Sequence, residues 1–129
     1  MTSLLLRTGV DMVDISRLSR MIEISGEAFV ESAWTAEERL YCAGRPERLA
    51  SRWAAKEAAM KALGQGVGTI SPLEVEVNAI EGESPTLVLH GQAARQAKRL
   101  NLDVWSVSLA HEGGWALAFV VAAGGISDA

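Results

Sequence analysis

The segment from residue 52 to residue 64, Arg-Trp-Ala-Ala-Lys-Glu-Ala-Ala-Met-Lys-Ala-Leu-Gly, constrains the fold more than any other part of the chain. It is rich in alanine and has no internal Pro or Gly, so we expect a long helix from Glu47 to Leu63, ended by Gly64. Residues four apart lie on the same helix face, which places the Glu57 carboxylate beside the Lys61 ammonium. The chain is therefore predicted to be organised around one long central helix.

Alternation of apolar and polar residues predicts five strands around this helix. They are expected at Leu4–Val13, Leu73–Ile80, Thr86–Leu89, Val104–Leu109 and Trp115–Ala122. A turn at 81–85 joins the second strand to the third, and Gly113-Gly114 supports a tight turn between the fourth and fifth, so each pair predicts a hairpin. The order of strand, helices, hairpin, helix and hairpin predicts an α+β fold, with a mainly antiparallel sheet packed on the long helix.

Three shorter helices are predicted from capping residues and apolar periodicity. The first follows Asp14 or Ser16, either of which can accept a hydrogen bond from the first turn. The second is expected at Thr35–Tyr41, because Thr35 and Glu38 have the capping-box spacing. The third, at Gln92–Leu100, is amphipathic.

Composition restricts the class of protein. A chain of 129 residues that is 49% apolar fits one globular domain, which we place at residues 1–123, with a flexible tail at 124–129. The net charge of -4 argues against broad nucleic-acid binding. Cys42 is the one cysteine in the sequence, which excludes an intrachain disulfide. The longest apolar run, Trp115–Ala123, is too short for a membrane span and no signal peptide is evident, so we expect a cytoplasmic protein.

Two carboxylates and one ammonium point to phosphate chemistry. Asp11 lies in the first strand and Glu57 on the long helix, and these elements are expected to pack together. Mg²⁺ prefers carboxylate oxygens, usually taking one or two from the protein and the rest from water and phosphate. Lys61 would add positive charge for a phosphate group. The alternative is that both acids are solvated and that Glu57 and Lys61 form an ordinary helix pair.

Three further features have both a functional and a structural interpretation. The glycines at 64, 66 and 68 predict a loop whose bare N–H groups can approach phosphate oxygens closely. His111, at the end of the fourth strand, is a candidate proton carrier or anion contact, or else a surface residue. Arg17 and Arg20 beside Met21 form a basic and apolar face, which is either solvated or suited to an acidic partner helix.

Taken together, these segments resemble the holo-acyl-carrier-protein synthase family, the small type of 4′-phosphopantetheinyl transferase. The family's opening motif is similar to residues 9–14, its central motif to residues 52–64, and its closing Ser-Leu-Ser-His motif to residues 108–111. A shorter Pro-x-x-x-Leu-x-Gly element is similar to residues 85–91. The resemblance covers nearly the whole chain, with one departure in the closing motif, where Ala110 stands in place of the second serine.

The resemblance implies a reaction and an assembly. The phosphopantetheine arm of coenzyme A would be transferred to a serine of an apo acyl carrier protein, releasing adenosine 3′,5′-bisphosphate, by a homotrimer with active sites between subunits. Asp11 and Glu57 would hold Mg²⁺ against the pyrophosphate, and with Lys61 they are the implied catalytic residues. The implied coenzyme A contacts are Arg52, Lys61, Gly64, Pro85 and His111. The implied carrier contacts are Arg17, Arg20 and Met21.

Other functions stay open on the residues alone. A non-catalytic module that binds the carrier or coenzyme A would have no chemical need for Asp11, Glu57 and Lys61 together. A metal-dependent phosphohydrolase would be expected to show more carboxylate and His ligands. For the transferase, the base that takes the serine proton is left open by the sequence; a water held by the metal or by a carboxylate, oriented by Glu57, is one candidate. The preferred carrier, whether of fatty-acid, polyketide or another type, is not specified.

Overall fold

The described part of the chain, residues 2–64 and 69–127 of the computed structural model, contains five strands, five α-helices and one 3₁₀ turn. In chain order they are β1 (Thr2–Asp14), α1 (Ile15–Ser25), α2 (Glu27–Ala33), α3 (Ala36–Cys42), α4 (Pro46–Leu63), the 3₁₀ turn (Pro72–Glu74), β2 (Val75–Asn78), β3 (Thr86–Leu89), α5 (Gly91–Arg99), β4 (Val104–Glu112) and β5 (Trp115–Ser127). The predicted α+β class is confirmed.

The strands form two antiparallel sheets. The larger has the order β1-β5-β4, and the smaller is the hairpin of β2 and β3. In the larger sheet Asp11 pairs with Ala118 of β5, and His111 pairs with Ala116 of the same strand. The turn between β4 and β5 consists of Gly113 and Gly114, whose φ angles of 58° and 83° match the left-handed turn that tight hairpins favour. Both predicted hairpins are therefore confirmed.

The long helix α4 packs directly on the larger sheet because its packing surface is made of alanine. The side chains of Ala54, Ala55, Ala58 and Ala62 are fully buried. Opposite them, Gly9 of β1 lies so close to the helix that a Cβ built on it would be 1.8 Å from the Ala58 carbonyl oxygen. This close approach fixes β1 and α4 against each other.

Helices begin where the sequence predicts them wherever a capping side chain is present. Asp14 caps α1, accepting from Arg17 N, and the predicted capping box of Thr35 and Glu38 begins α3. The helix α2 was not predicted. It is seven residues long and its N-cap, Gly26, makes no side-chain hydrogen bond, so the sequence carries no capping signal there.

Several strand boundaries differ from the prediction, and two of the differences have a clear physical cause. The second strand begins at Val75 instead of Leu73, because Ser71 and Pro72 start a capped 3₁₀ turn. The predicted tail at 124–129 is corrected for residues 124–127, which continue β5 and pair with the start of β1. Gly124 lies there against a neighbouring backbone, since a Cβ on it would be 1.5 Å from the Asn101 carbonyl oxygen. Residues 128 and 129 lie outside the described residues.

No helix in residues 2–64 and 69–127 is long and apolar enough to cross a lipid bilayer.

Candidate active site

The residues predicted to carry chemistry meet where β1 crosses the middle of α4. The Lys61 ammonium lies 3.2 Å from Asp11 Oδ1 and donates to the Val10 carbonyl oxygen at 2.8 Å. The strand and the helix thus bring Asp11 and Lys61 together across 50 residues of sequence. The ion pair of Lys61 is with Asp11 of the strand, and Glu57, beside Lys61 on the same helix as predicted, interacts with its charge as well.

Glu57 faces the same region. Burial raises the pKa of the Glu57 carboxyl above its usual range, the negative charge of Asp11 raises it further, and Lys61 acts in the opposite direction. A raised carboxyl pKa means that the ionised form lacks sufficient compensation where it lies. The two carboxylates and one ammonium therefore leave an uncompensated negative charge beside Glu57.

This arrangement fits a hard divalent cation. Asp11 and Glu57 offer carboxylate oxygens from two elements, and a cation between them would offset the repulsion that raises the pKa of Glu57. Within residues 2–64 and 69–127, no group of three or more His, Cys, Asp and Glu side chains could hold a metal ion. Two protein carboxylates suit Mg²⁺, which completes its shell with water and phosphate oxygens, better than zinc, which favours four protein ligands or three.

A cleft of about 380 Å³ opens beside these groups, between β1, α1, α4 and the tip of the β4–β5 hairpin. Its polar lining is Asp11, Asp14, Arg17 and Glu57. Its apolar lining is Met12, Val13, Leu18, Met21, Trp53 and Trp115. The predicted carrier contacts Arg17 and Met21 thus share one cleft with the predicted metal ligands. Arg20 is exposed on α1 but does not line the cleft.

Three predicted coenzyme A contacts lie elsewhere in the chain. Arg52 is buried, and its guanidinium stacks 4.8 Å from the centre of the Tyr41 ring, on the side of α4 that faces α3. Pro85 lies in the turn before β3. His111 and Val13 pair with Ala116 from opposite sides, which separates them by two strand spacings, about 10 Å. One chain by itself therefore does not gather all the predicted contacts around the cleft.

The end of α4 carries a positive charge that the sequence prediction missed. Gly64 ends the helix in the left-handed conformation, with φ of 70°, as predicted. A Cβ on Gly64 would lie 3.1 Å from Nη1 of Arg7, so this guanidinium stands beside the helix end. Arg7, Gly9 and Asp11 alternate along β1 and so share one face, which is the signal that would have found Arg7. The predicted glycine contacts at 66 and 68 lie outside the described residues.

Sequence reasoning also missed the walls of the cleft. Asp14 was predicted only as a helix cap, yet it lines the cleft while capping α1. Trp53 lines it as well, and its ring contacts Phe29 edge-on at 5.8 Å between ring centres and Trp34 in a tilted arrangement at 5.7 Å. The contact with Phe29 depends on α2, the helix that the sequence did not reveal.

Comparison with known proteins places the chain in a family. A family model described as the 4′-phosphopantetheinyl transferase superfamily matches residues 7–120. The chain is similar to a holo-[acyl-carrier-protein] synthase of Herpetosiphon aurantiacus, with 44% identity over 128 residues, covering 93% of this chain and 100% of the relative. A protein of the same name from Geobacter sulfurreducens is 42% identical over 120 residues, covering 88% and 94%.

Solved structures agree in fold. The coenzyme A complex of a Chronobacterium ammoniagenes protein superposes with a TM-score of 0.81 at 29% identity, covering 92% of this chain and 96% of that one. Helicobacter pylori holo-[acyl-carrier-protein] synthase in complex with coenzyme A gives a TM-score of 0.80 at 28% identity, covering 89% and 98%.

Proposed function

This chain belongs to the 4′-phosphopantetheinyl transferase superfamily, and from that premise we propose that it acts as a holo-[acyl-carrier-protein] synthase. It transfers the phosphopantetheine arm of coenzyme A to a serine of an apo acyl carrier protein and releases adenosine 3′,5′-bisphosphate. The observation that carries the proposal is the meeting of Asp11, Glu57 and Lys61 beside a cleft with Arg17 at its rim. A binding module would have no use for this uncompensated charge.

Charge compensation is the main task of the site. Asp11 and Glu57 would hold Mg²⁺, which when bound supplies positive charge that offsets the developing charge on the pyrophosphate oxygens. Lys61 uses two of its N–H donors on Asp11 and the Val10 carbonyl. Its ammonium has three donors, so one is left for a phosphate oxygen of the substrate. The ion pair holds that donor in place before the substrate arrives.

Proton transfer accompanies the attack. The carrier serine oxygen bonds to the β-phosphorus while the bond from that phosphorus to the bridging oxygen breaks, and adenosine 3′,5′-bisphosphate leaves with the bonding pair. The serine proton passes to a water held by Glu57. The Glu57 carboxylate accepts a hydrogen bond from this water and so orients it for the transfer.

The carrier is proposed to dock on α1. Arg17 and Arg20 are exposed there and Met21 is 41% exposed, so the helix offers two cations beside an apolar contact. An acidic helix of the carrier would meet this face, and its serine would reach the cleft that Arg17 and Met21 line. We expect carrier and enzyme to meet in the cytoplasm.

A homotrimer is proposed from the outer face of the larger sheet. The side chains that point away from α4 are apolar and exposed: Leu4, Leu6, Val10, Met12, Val104, Trp115 and Phe119 are between 43% and 71% exposed. Contiguous apolar surface of this kind usually marks an interface. Subunits packed through this face would let Pro85 or His111 of one chain approach coenzyme A held by its neighbour, whereas Arg52 stays buried against Tyr41.

The trimer has a direct test. Phe119→Lys introduces charge at the middle of this face, so we expect sedimentation to show monomers and transfer activity to fall. Glu31→Lys, on the exposed side of α2, serves as the control for added charge. A Phe119→Lys protein that stays trimeric would place the interface elsewhere.

The reaction is tested by intact mass spectrometry. An apo acyl carrier protein incubated with the chain, coenzyme A and Mg²⁺ should gain one phosphopantetheine, and EDTA should prevent the gain. The matched pair of variants is Glu57→Gln and Glu31→Gln, of which only the first should stop transfer. Binding of the carrier without a mass change would instead indicate a non-catalytic module, and cleavage of coenzyme A without carrier would indicate a hydrolase.

A further inference from the structure

Lys56 has the most completely buried cationic side chain among the described residues, and it directly precedes Glu57 in α4. Its side chain is 0% exposed. Its ammonium donates to Glu38 Oε1 at 2.7 Å, to the Pro72 carbonyl oxygen at 2.9 Å and to the Val75 carbonyl oxygen at 2.8 Å. Since an ammonium has three donors, Lys56 has none left for a substrate.

The partner of Lys56, the Glu38 carboxylate, also has both of its oxygens hydrogen-bonded within the protein. Glu38 is also 0% exposed, and its Oε1 accepts a second hydrogen bond from Thr35 N at 2.8 Å. Its Oε2 accepts from Val77 N at 2.8 Å. We call Thr35, Glu38, Lys56, Pro72, Val75 and Val77 the Lys56 node. The node joins the start of α3, the middle of α4, the 3₁₀ turn and β2.

The node is a poor source of stability, which calls for another reason for its presence. Burying both charges costs desolvation free energy, which their ion pair at 2.7 Å and their other hydrogen bonds offset. Such pairs are often no more stabilising than apolar residues of the same volume. Their geometry, however, admits one arrangement, because any rotation of the helix breaks several hydrogen bonds together.

The node lies on a different side of α4 from the reacting groups. Successive helical residues are about 100° apart, so Glu57 lies about 100° and Lys61 about 140° around the helix from Lys56. On that side Lys61 lies 3.2 Å from Asp11 Oδ1, and Glu57 lines the same cleft as Asp11. We propose that the Lys56 node is a positioning device, which fixes the rotation of α4 and thereby holds Glu57 and Lys61 against Asp11.

The size of the effect follows from helix geometry. A carboxylate at the helix surface is about 5.5 Å from the axis, so a rotation of about 10° displaces it by about 1 Å. A displacement of about 1 Å in a reacting group can cost about a hundredfold in rate. Loss of the node is therefore expected to lower kcat about ten- to a hundredfold while the chain stays folded.

The test uses two variants of the node in the full chain. Lys56→Met with Glu38→Gln removes both charges and keeps both side chains near their original volumes. Lys56→Arg keeps the charge, but its planar fork cannot serve three acceptors arranged around one ammonium. We expect kcat to fall at least tenfold in either variant that folds, more than KM for coenzyme A rises. A crystal structure of that variant should show the Asp11 and Glu57 carboxylates displaced.

A stability control separates positioning from folding. Leu102 is 2% exposed in the core, between α5 and β4 and away from the cleft, and Leu102→Ala should lower the unfolding temperature without rotating α4. Compared at equal fractions of folded protein, the node variants should be slower than Leu102→Ala. Equal kcat in the two kinds of variant, or a node variant with the kcat of the parent, would overturn the positioning role.

The inference rests on the proposed function, because it takes the cleft of Asp11, Glu57 and Lys61 as the reacting site. Glu57→Gln distinguishes the two ways in which it can fail. Normal transfer by Glu57→Gln would refute the site itself. If Glu57→Gln is inactive while the node variants are fully active, the site is supported and the positioning role of the node is refuted.

Discussion

The contact between Gly9 and the Ala58 carbonyl allows a substitution whose effects on both stability and rate can be worked out. In Gly9→Ala, the new Cβ would start 1.8 Å from that oxygen. Cβ contacts under 3.0 Å are essentially never found, so β1 and α4 must separate by about 1.2 Å or more. Asp11 is two residues further along β1 and Glu57 is next to Ala58, so the same movement pulls the two carboxylates apart.

Two magnitudes follow. Overpacking of this kind costs about 1–3 kcal/mol. At about 4 °C per kcal/mol for a chain of this length, the unfolding temperature should fall by about 4–12 °C. A separation of about 1 Å between reacting groups should also lower kcat about a hundredfold, which exceeds any loss from unfolding at 25 °C.

The assay compares Gly9→Ala with Glu31→Ala, an exposed position on α2 away from the larger sheet. Thermal unfolding at fixed protein concentration gives the stability, and the initial rate of holo carrier formation gives kcat. Glu31→Ala should leave both within error of the parent. An unchanged unfolding temperature together with an unchanged kcat in Gly9→Ala would refute the argument that this contact sets the spacing of the site.

Three shorter predictions concern charge. Glu57→Gln should abolish transfer yet unfold at a higher temperature than the parent at pH 7 without Mg²⁺, because it removes the repulsion from Asp11; a lower unfolding temperature would contradict this. Arg17→Glu should raise KM for the carrier at least tenfold and leave KM for coenzyme A unchanged, as initial-rate titrations of both substrates would show. The hydrogen bond from Thr35 holds the pKa of the Glu76 carboxyl below its usual 4.5. The unfolded state therefore binds more protons than the folded state at this group. The stabilisation is complete above pH 4.5 and is lost as the pH falls through the pKa of the folded state. Glu76→Gln should therefore flatten the acid side of the stability profile measured by urea unfolding, and an unchanged profile would argue against the bond.

The parts of the fold with local causes were predictable. The long helix needs only its alanine-rich sequence and Gly64, and the start of α3 needs only Thr35 and Glu38, three residues apart. The proximity of Asp11 and Glu57 could be predicted, because only one face of a strand and one face of a helix meet when the two elements pack together. In each of these cases the determining atoms lie within one element or across one packing contact.

The features that the sequence prediction missed depend on contacts between residues far apart in the chain. Gly124 was predicted to lie in a flexible tail, but its small size is required by the Asn101 backbone, which belongs to another segment. Helical spacing placed Lys61 beside Glu57 but did not reveal its ion pair with Asp11, which the strand brings within 3.2 Å. The Trp53 wall of the cleft depends partly on Phe29 of a helix without a capping signal. Tertiary contacts overrode the local pattern at each position.

The two lysines of the central segment show how far a motif can be interpreted. Lys56 and Lys61 are five residues apart in one helix, and local sequence gives both the same preference for a solvated surface. The Lys56 side chain is 0% exposed, because Glu38, 18 residues earlier, and two backbone carbonyl oxygens from the segment after the helix accept its hydrogen bonds. The Lys61 side chain is 56% exposed beside Asp11. A motif that looks like one catalytic unit therefore combines two tasks on two faces. Substitutions on the Lys61 face should change the chemistry directly, whereas those on the Lys56 face should change it through the rotation of the helix.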